Sequence, residues 1–197
     1  MRSKTALILM LAAIVLLLLF PFIGHCQIQS KDCPFGDNPK LKFLDSMKNR
    51  YTGCQGYIPT EIEFDNFVNL PISSDYTLCQ MYVSISGYIL EVQPGGVESC
   101  NCHSKVNRDT HIYLVKDSTI TDKSKAVIVE VTPAFKAVLG TTEAIKAKFK
   151  GHYVTVSGFV FQDQEHKENS AIDKGKGLLW RGTTWELHPI VNITLNR

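Results

Sequence analysis

The sequence predicts a mainly β chain: a small closed barrel of five strands with a helix between the third and fourth (β-β-β-α-β-β), preceded by a helical and irregular extension. Three observations carry this. Apolar residues recur with a period of two in five separate stretches beyond residue 76, the pattern of half-buried strands. Glycine sits inside the first and fourth of them, in the parallel segments VSISGYI from Val83 and VTVSGFV from Val154, where a bend helps a barrel to close. A length of 197 residues with 44% hydrophobic and 20% charged side chains suits one domain with an appendage, and excludes wholesale disorder and a polytopic membrane protein.

At the N-terminus, Arg2 and Lys4 precede an unbroken apolar run over residues 6–23, which reads as a targeting segment and not as part of the fold. Residues 1–26 are therefore expected to be a signal peptide cleaved before Gln27, or an uncleaved membrane anchor, since the run is long enough to span a bilayer. Either places the rest outside the cytoplasm, secreted or periplasmic. Lipidation of Cys26 is disfavoured by the bulky His25 before it.

Residues 27–78 form the extension. Asn38 can cap a helix that has Pro39 at its first position and Leu41, Leu44, Met47 and Tyr51 at near-helical spacing. Residues 52–75, with Pro59 and Pro71, read as irregular chain lying against the main domain. Residues 79–197 form the barrel. Its strands are expected at 81–92, 110–115 and 126–131, the last ended by Pro133; a helix follows at 141–150 with Gly151 at its end, then strands at 152–161 and 183–193. This order resembles the OB-fold, a five-stranded Greek-key barrel, over about residues 79–195.

Alternation assigns the faces. With Ile112 and Leu114 inward, His111 and Tyr113 point out; with Val127, Val129 and Val131 inward, Glu130 and Thr132 point out; with Trp185 and Leu187 inward, Glu186 and His188 point out. The OB resemblance implies that the third strand lies between the second and the fifth, which would put His111, Glu130, Glu186 and His188 on one outer surface. It also implies that the two loops beside that surface are those carrying Cys100, Cys102, His103 and Asp109, and Glu165, His166 and Arg181. The ligand-binding residues expected on this ground are Asp109, His111, Glu130, His166, Arg181, Glu186 and His188. Imidazoles and carboxylates together can hold a divalent metal, zinc first, so His111, Glu186, His188 and His103 are the expected metal donors. Arg181, at the mouth of the barrel, could fork onto an anion or pair with Glu186 or Asp109.

If cleavage follows Cys26, five cysteines remain, an odd number for an oxidising compartment. Cys33 and Cys54 bracket the first helix and form one expected disulfide, leaving Cys79 for Cys100 or Cys102; the pairing stays open. In CNCH the cysteines are one residue apart, so in an extended segment they point one way and His103 the other, which favours a disulfide over a metal thiolate.

The segments ESCNCHS (residues 98–104), DTHIYLV (109–115), VIVEVTP (127–133) and RGTTWELHP (181–189) resemble those of a group of exported bacterial proteins of undescribed activity. The resemblance implies a shared site without supplying a reaction. The two-arginine, three-acid arrangement of staphylococcal-type nucleases, also OB-folds, is not recognisable here. Arg2 and Lys4 account for the net charge of +2, and the neutral remainder counts against nonspecific nucleic-acid binding. Three readings follow: a binding module for a small ligand or metal, a metal-dependent hydrolase of phosphodiesterase or nuclease type, and a structural or interaction domain whose histidines are incidental. Contact with a membrane is expected only through the N-terminal segment.

Overall fold

In a computed structural model, residues 39–50, 57–72 and 77–196 are described. The apolar run at 6–23, the expected Cys33–Cys54 disulfide and Cys26 lie outside them. Among the described residues no helix is long and apolar enough to cross a membrane.

Helix α1 (Pro39–Lys48) opens with proline in its first turn, where a missing N–H costs nothing. A two-residue strand β1 (Thr60–Glu61) and a short helix α2 (Phe64–Val68) follow. The barrel consists of β2 (Tyr82–Pro94), β3 (Thr110–Val115), β4 (Val127–Val131), β5 (Tyr153–Gln162) and β6 (Trp185–Leu195), with helices α3 (Pro133–Leu139) and α4 (Thr142–Phe149) between β4 and β5. Strand order is β1-β2-β3-β4-β6-β5, and a β2–β5 pairing closes the circle. The result is a closed five-stranded, OB-like barrel with one extra strand, β1, added parallel to β2. As the fold resemblance implied, β4 lies between β3 and β6, antiparallel to the first and parallel to the second.

Closure depends on β2. Its first half, Tyr82 to Tyr88, pairs with β5 and its second half, Tyr88 to Pro94, with β3, so the strand must bend where it changes neighbours. Gly87 stands at that point, and a Cβ there would lie 2.6 Å from the Val115 carbonyl oxygen and 2.9 Å from Leu114 Cγ. Gly158 is its counterpart in β5, beside a register shift against β6, where a Cβ would lie 2.6 Å from the Pro189 oxygen. Gly158→Ala is accordingly expected to lower stability by about 1–3 kcal/mol, because the opposing atoms are backbone and cannot yield as a side-chain tip would. Urea unfolding checks this, and an unchanged midpoint would mean that the strand bends without needing the glycine.

The inward residues form one core: Ile112 and Leu114 of β3, Val127, Val129 and Val131 of β4, and Trp185 and Leu187 of β6 meet Ile85, Ile89, Val154, Val156 and Val160. Trp185 also donates from Nε1 to the Leu70 carbonyl, tying the extension to the barrel. Within the stretch expected to be irregular, the described residues 57–72 include α2, which inserts Phe64 and Phe67 into this core. Pro133 does more than end β4: it lies in the first turn of α3, which buries Phe135. Helix α4 begins at a Thr141 cap whose hydroxyl accepts from the Ala144 N–H, and Gly151 follows with φ +81°, a left-handed turn that glycine adopts without strain.

Candidate metal centre

On the outer face of the barrel, His111 and Glu130 are direct cross-strand partners on β3 and β4, and Ile128 and Val129 of β4 pair with Glu186 and Leu187 of β6. Registry therefore brings His111, Glu130, Glu186 and His188 together. They point out of the barrel but not into solvent. Glu130 is 3% exposed, and Glu186 and His188 are fully covered.

The cover comes from α1 and the loop after β2. Lys48 Nζ donates to Glu98 Oε2 at 2.8 Å, Asn49 donates to the Cys100 carbonyl, and Ser99 donates to Asp45 Oδ1. Arg50, buried beyond the end of α1, donates to the carbonyls of Met47, Cys79 and His188 and lies 4.4 Å from the Phe159 ring centre. Residues 98–103 are not extended as expected. They form a 3-10 turn at Ser99–Asn101, then Cys102 and His103 with φ of 56° and 49°. Neither Cys79 nor Cys100 is in a disulfide, contrary to the expected pairing. Cys102 is the disulfide-bonded cysteine of this loop.

The turn carries Glu98, Cys100 and Asn101 to the face formed by Asp109, His111 and Glu130. His111 Nε2 lies 3.0 Å from Glu130 Oε1 and 3.7 Å from Glu98 Oε1. His188 Nδ1 lies 3.2 Å from Glu130 Oε2 and shares a hydrogen bond of 3.2 Å with Glu186 Oε1, while its Nε2 lies 3.7 Å from Asp109 Oδ2. The Cys100 thiol donates to Glu98 Oε2, and Asn101 donates to Asp109 Oδ2. Three triads have donor atoms within 4.8 Å of one another: Glu98, Cys100 and Asp109; Glu98, His111 and Glu130; Asp109, Glu130 and His188.

Four atoms in this cluster are buried with no hydrogen-bond partner: Asp109 Oδ1, Glu130 Oε2, and Nε2 of His111 and of His188. His111 Nε2 is near enough to Glu130 for an ion pair yet not aligned for a hydrogen bond. A buried polar atom without a hydrogen bond costs about 1–3 kcal/mol; three of these four also sit in ion pairs, and one shared cation could satisfy all four. His188 is set up to hold one. In the neutral tautomer with Nδ1–H directed at Glu186, Nε2 would present a lone pair on the side of Asp109, the arrangement that carboxylates impose on metal-binding imidazoles.

Burial, together with the carboxylates of Glu130 and Glu98, pushes the Asp109 carboxyl up to about 6 despite the opposing charge of His188. Against burial, the partners His111 and Lys48 hold the Glu98 carboxyl well below its ordinary range. Both imidazoles are raised against burial by Glu130 and its neighbours. Burial drives the Cys100 thiol far upward and keeps it protonated.

Glu186 and His103, expected among the metal donors, are in none of the triads. Glu186 acts behind His188: its Oε2 accepts from Arg181 Nη2 at 2.8 Å. Arg181 does not reach a ligand at the barrel mouth. It is wholly buried, and its Nη1 is bound to Asp163 Oδ2 at 2.8 Å and its Nε to the Thr183 carbonyl. Asp163 also holds His166 Nδ1 at 2.5 Å. His166 and His103 both line a cleft of about 1330 Å³ between α1, the turn at 98–103 and the loop after β5. Glu98 and His111 form part of its floor, with Tyr113 and Trp180 on its wall.

Asp163 supplies a pH dependence. Burial opposes its ionisation, but His166 and Arg181 hold the carboxyl well below the ordinary range. The folded value is thus lower than the unfolded one. The stability it contributes is present above about pH 4 and is lost as pH falls, with a limiting slope of about 1.4 kcal/mol per pH unit. Urea unfolding between about pH 4 and pH 2 should approach this slope for Asp163, and Asp163→Asn should reduce the measured slope by that contribution, leaving those of Glu98 and Glu91.

No family model, curated protein or solved structure matches the chain.

Proposed function

We propose that this is an exported OB-type protein that holds a divalent metal ion on the outer face of its barrel and uses it to bind a small ligand in the cleft above. The observation that carries this reading is the convergence of four buried donor atoms from Asp109, Glu130, His111 and His188, none with a hydrogen-bond partner among the described residues, beneath a cleft that Glu98 and His111 reach. Nitrogen and carboxylate donors suit zinc first, and manganese or ferrous iron next. The ion would be held by Glu98, Asp109, His111, Glu130 and His188, and would supply a Lewis acid next to the cleft. Export rests on the targeting character of residues 6–23.

Elemental analysis of residues 27–197, prepared in an oxidising compartment, tests the reading. Metal bound stoichiometrically to the wild type is expected, and none to a His111→Ala, His188→Ala double variant. If neither protein retains metal after reconstitution, the cluster is a self-contained ion-pair network and the interaction-domain reading gains. The hydrolase reading is favoured by the Asp163–His166 pair on the cleft wall, which could move a proton. Metal-dependent cleavage of a chromogenic phosphodiester that is lost in His166→Ala would select it.

A further inference from the structure

We propose that the centre takes two divalent ions sharing the Glu130 carboxylate: an inner ion enclosed by protein, and an outer ion that opens on the cleft and binds together with a phosphate group. The proposal rests on the metal-binding reading above and extends it to stoichiometry and ligand class.

The grouping of donors is the first argument. No triad contains both histidines: His111 groups with Glu98 and Glu130, and His188 with Asp109 and Glu130. Donors on a single ion sit about 2.1 Å from it, and so no more than roughly 4.2 Å from one another. Each triad is compact enough to close on an ion with small shifts, and Glu130 belongs to both. Its two oxygens divide accordingly, Oε1 at 3.0 Å from His111 Nε2 and Oε2 on the side of the His188 ring, 3.2 Å from its Nδ1 edge. A carboxylate presenting one oxygen to each side is a bridge, of the kind that holds paired ions about 3.5–4 Å apart.

Burial separates the two positions. Asp109, Glu130 and His188 are 1%, 3% and 0% exposed, and none of them lines the cleft. Glu98 and His111 do line it. Gly95 leaves the room that His111 occupies, since a Cβ there would lie 2.8 Å from the ring atoms Cδ2 and Nε2. The inner triad is closed, as in a structural site; the outer one leaves coordination positions facing the cleft.

Charge sets the order of filling. With the imidazoles neutral, as metal ligands must be, Glu98, Asp109 and Glu130 carry three negative charges and Lys48, on Glu98 Oε2, one positive. One divalent ion neutralises that set. A second leaves an excess of two positive charges against a largely buried donor set, which disfavours the second ion unless a dianion enters with it from the cleft. A phosphate group has that charge and can take the open positions of the outer ion.

The test is Mn²⁺ binding to apoprotein by equilibrium dialysis and electron paramagnetic resonance, with and without inorganic phosphate. Expected is one tight Mn²⁺ alone, and a second whose affinity rises about tenfold or more with phosphate and whose signal is exchange-coupled to the first. By reciprocity, phosphate affinity rises by the same factor with Mn²⁺. His111→Ala should keep the inner ion and lose the second together with the phosphate effect. Gly95→Ala, which crowds and shifts the ring without removing the imidazole, should weaken the second ion selectively and serves if His111→Ala unfolds. One Mn²⁺ per chain at saturating phosphate would overturn the two-ion proposal and leave the metal reading standing. No Mn²⁺, zinc or iron under any condition would overturn both.

Discussion

Replacing Arg181 by methionine is expected to cost about 3–5 kcal/mol of folding free energy, the range for removing one partner of a buried ion pair. The guanidinium is fully buried and bonds two carboxylates that are themselves buried, Asp163 and Glu186, each at 2.8 Å. It also bonds the carbonyls of Thr183 and Thr184 and lies over the Trp180 ring. Removing it leaves two desolvated negative charges with His166, His188 and the more distant Lys48 to answer them. Against a total stability of about 5–15 kcal/mol, this is enough to unfold a large share of the protein under mild stress. Arg181→Lys should recover little, because a single ammonium cannot span two carboxylates as the planar fork does. Adding Asp163→Asn and Glu186→Gln to Arg181→Met should restore most of the loss, since the cost lies in orphaned charge more than in lost attraction. Urea unfolding of the three proteins decides it: a loss below about 1 kcal/mol for Arg181→Met would mean that water or rearrangement satisfies both acids.

What the sequence made legible follows from periodicity. Alternation along 110–115, 126–131 and 183–193 separated Ile112 from His111, Val129 from Glu130 and Leu187 from His188, and the barrel order then gathered the outward residues. Alternation has nothing to say about what lies over a face, so outward was read as ligand-facing when α1 and the turn at 98–103 in fact bury it. Glu98 and Lys48 were missed for that reason: one lies in a turn and the other on a helix, and only tertiary packing joins them. Their signal was at most positional, Glu98 standing just before CNCH, where the cysteines drew attention instead. Pro133 was read as a stop when it also starts α3, and α2 is too short for helical periodicity to show. Arg181 could be read toward an anion or toward Glu186, and the geometry takes the second.

Metal should stabilise the fold strongly. Apoprotein titrated with Zn²⁺ or Mn²⁺ is expected to unfold about 8–16 °C higher once the free ion reaches about a thousand times its dissociation constant, which corresponds to about 4 kcal/mol of linkage. The physical source is the donor set itself: Asp109 is pushed up to about 6 by burial and neighbouring carboxylates, and four buried atoms have no hydrogen-bond partner among the described residues. A cation relieves both at once, so the ion should bind the folded chain far better than the unfolded one. Both imidazoles are held above their ordinary range, so binding must displace protons and the stabilisation should shrink as pH falls. His188→Ala should abolish most of the increment, because it removes the enclosed nitrogen. Glu186→Gln, which keeps the shape but weakens the hold on His188 Nδ1, should reduce it by a smaller amount, as changes behind a metal ligand do. The competing account, in which histidines and carboxylates neutralise one another, makes the opposite prediction: no ion would shift the midpoint, and His188→Ala would lower it equally with and without metal. Differential scanning calorimetry of wild type and both variants, with and without metal at pH 6 and pH 8, separates the two accounts.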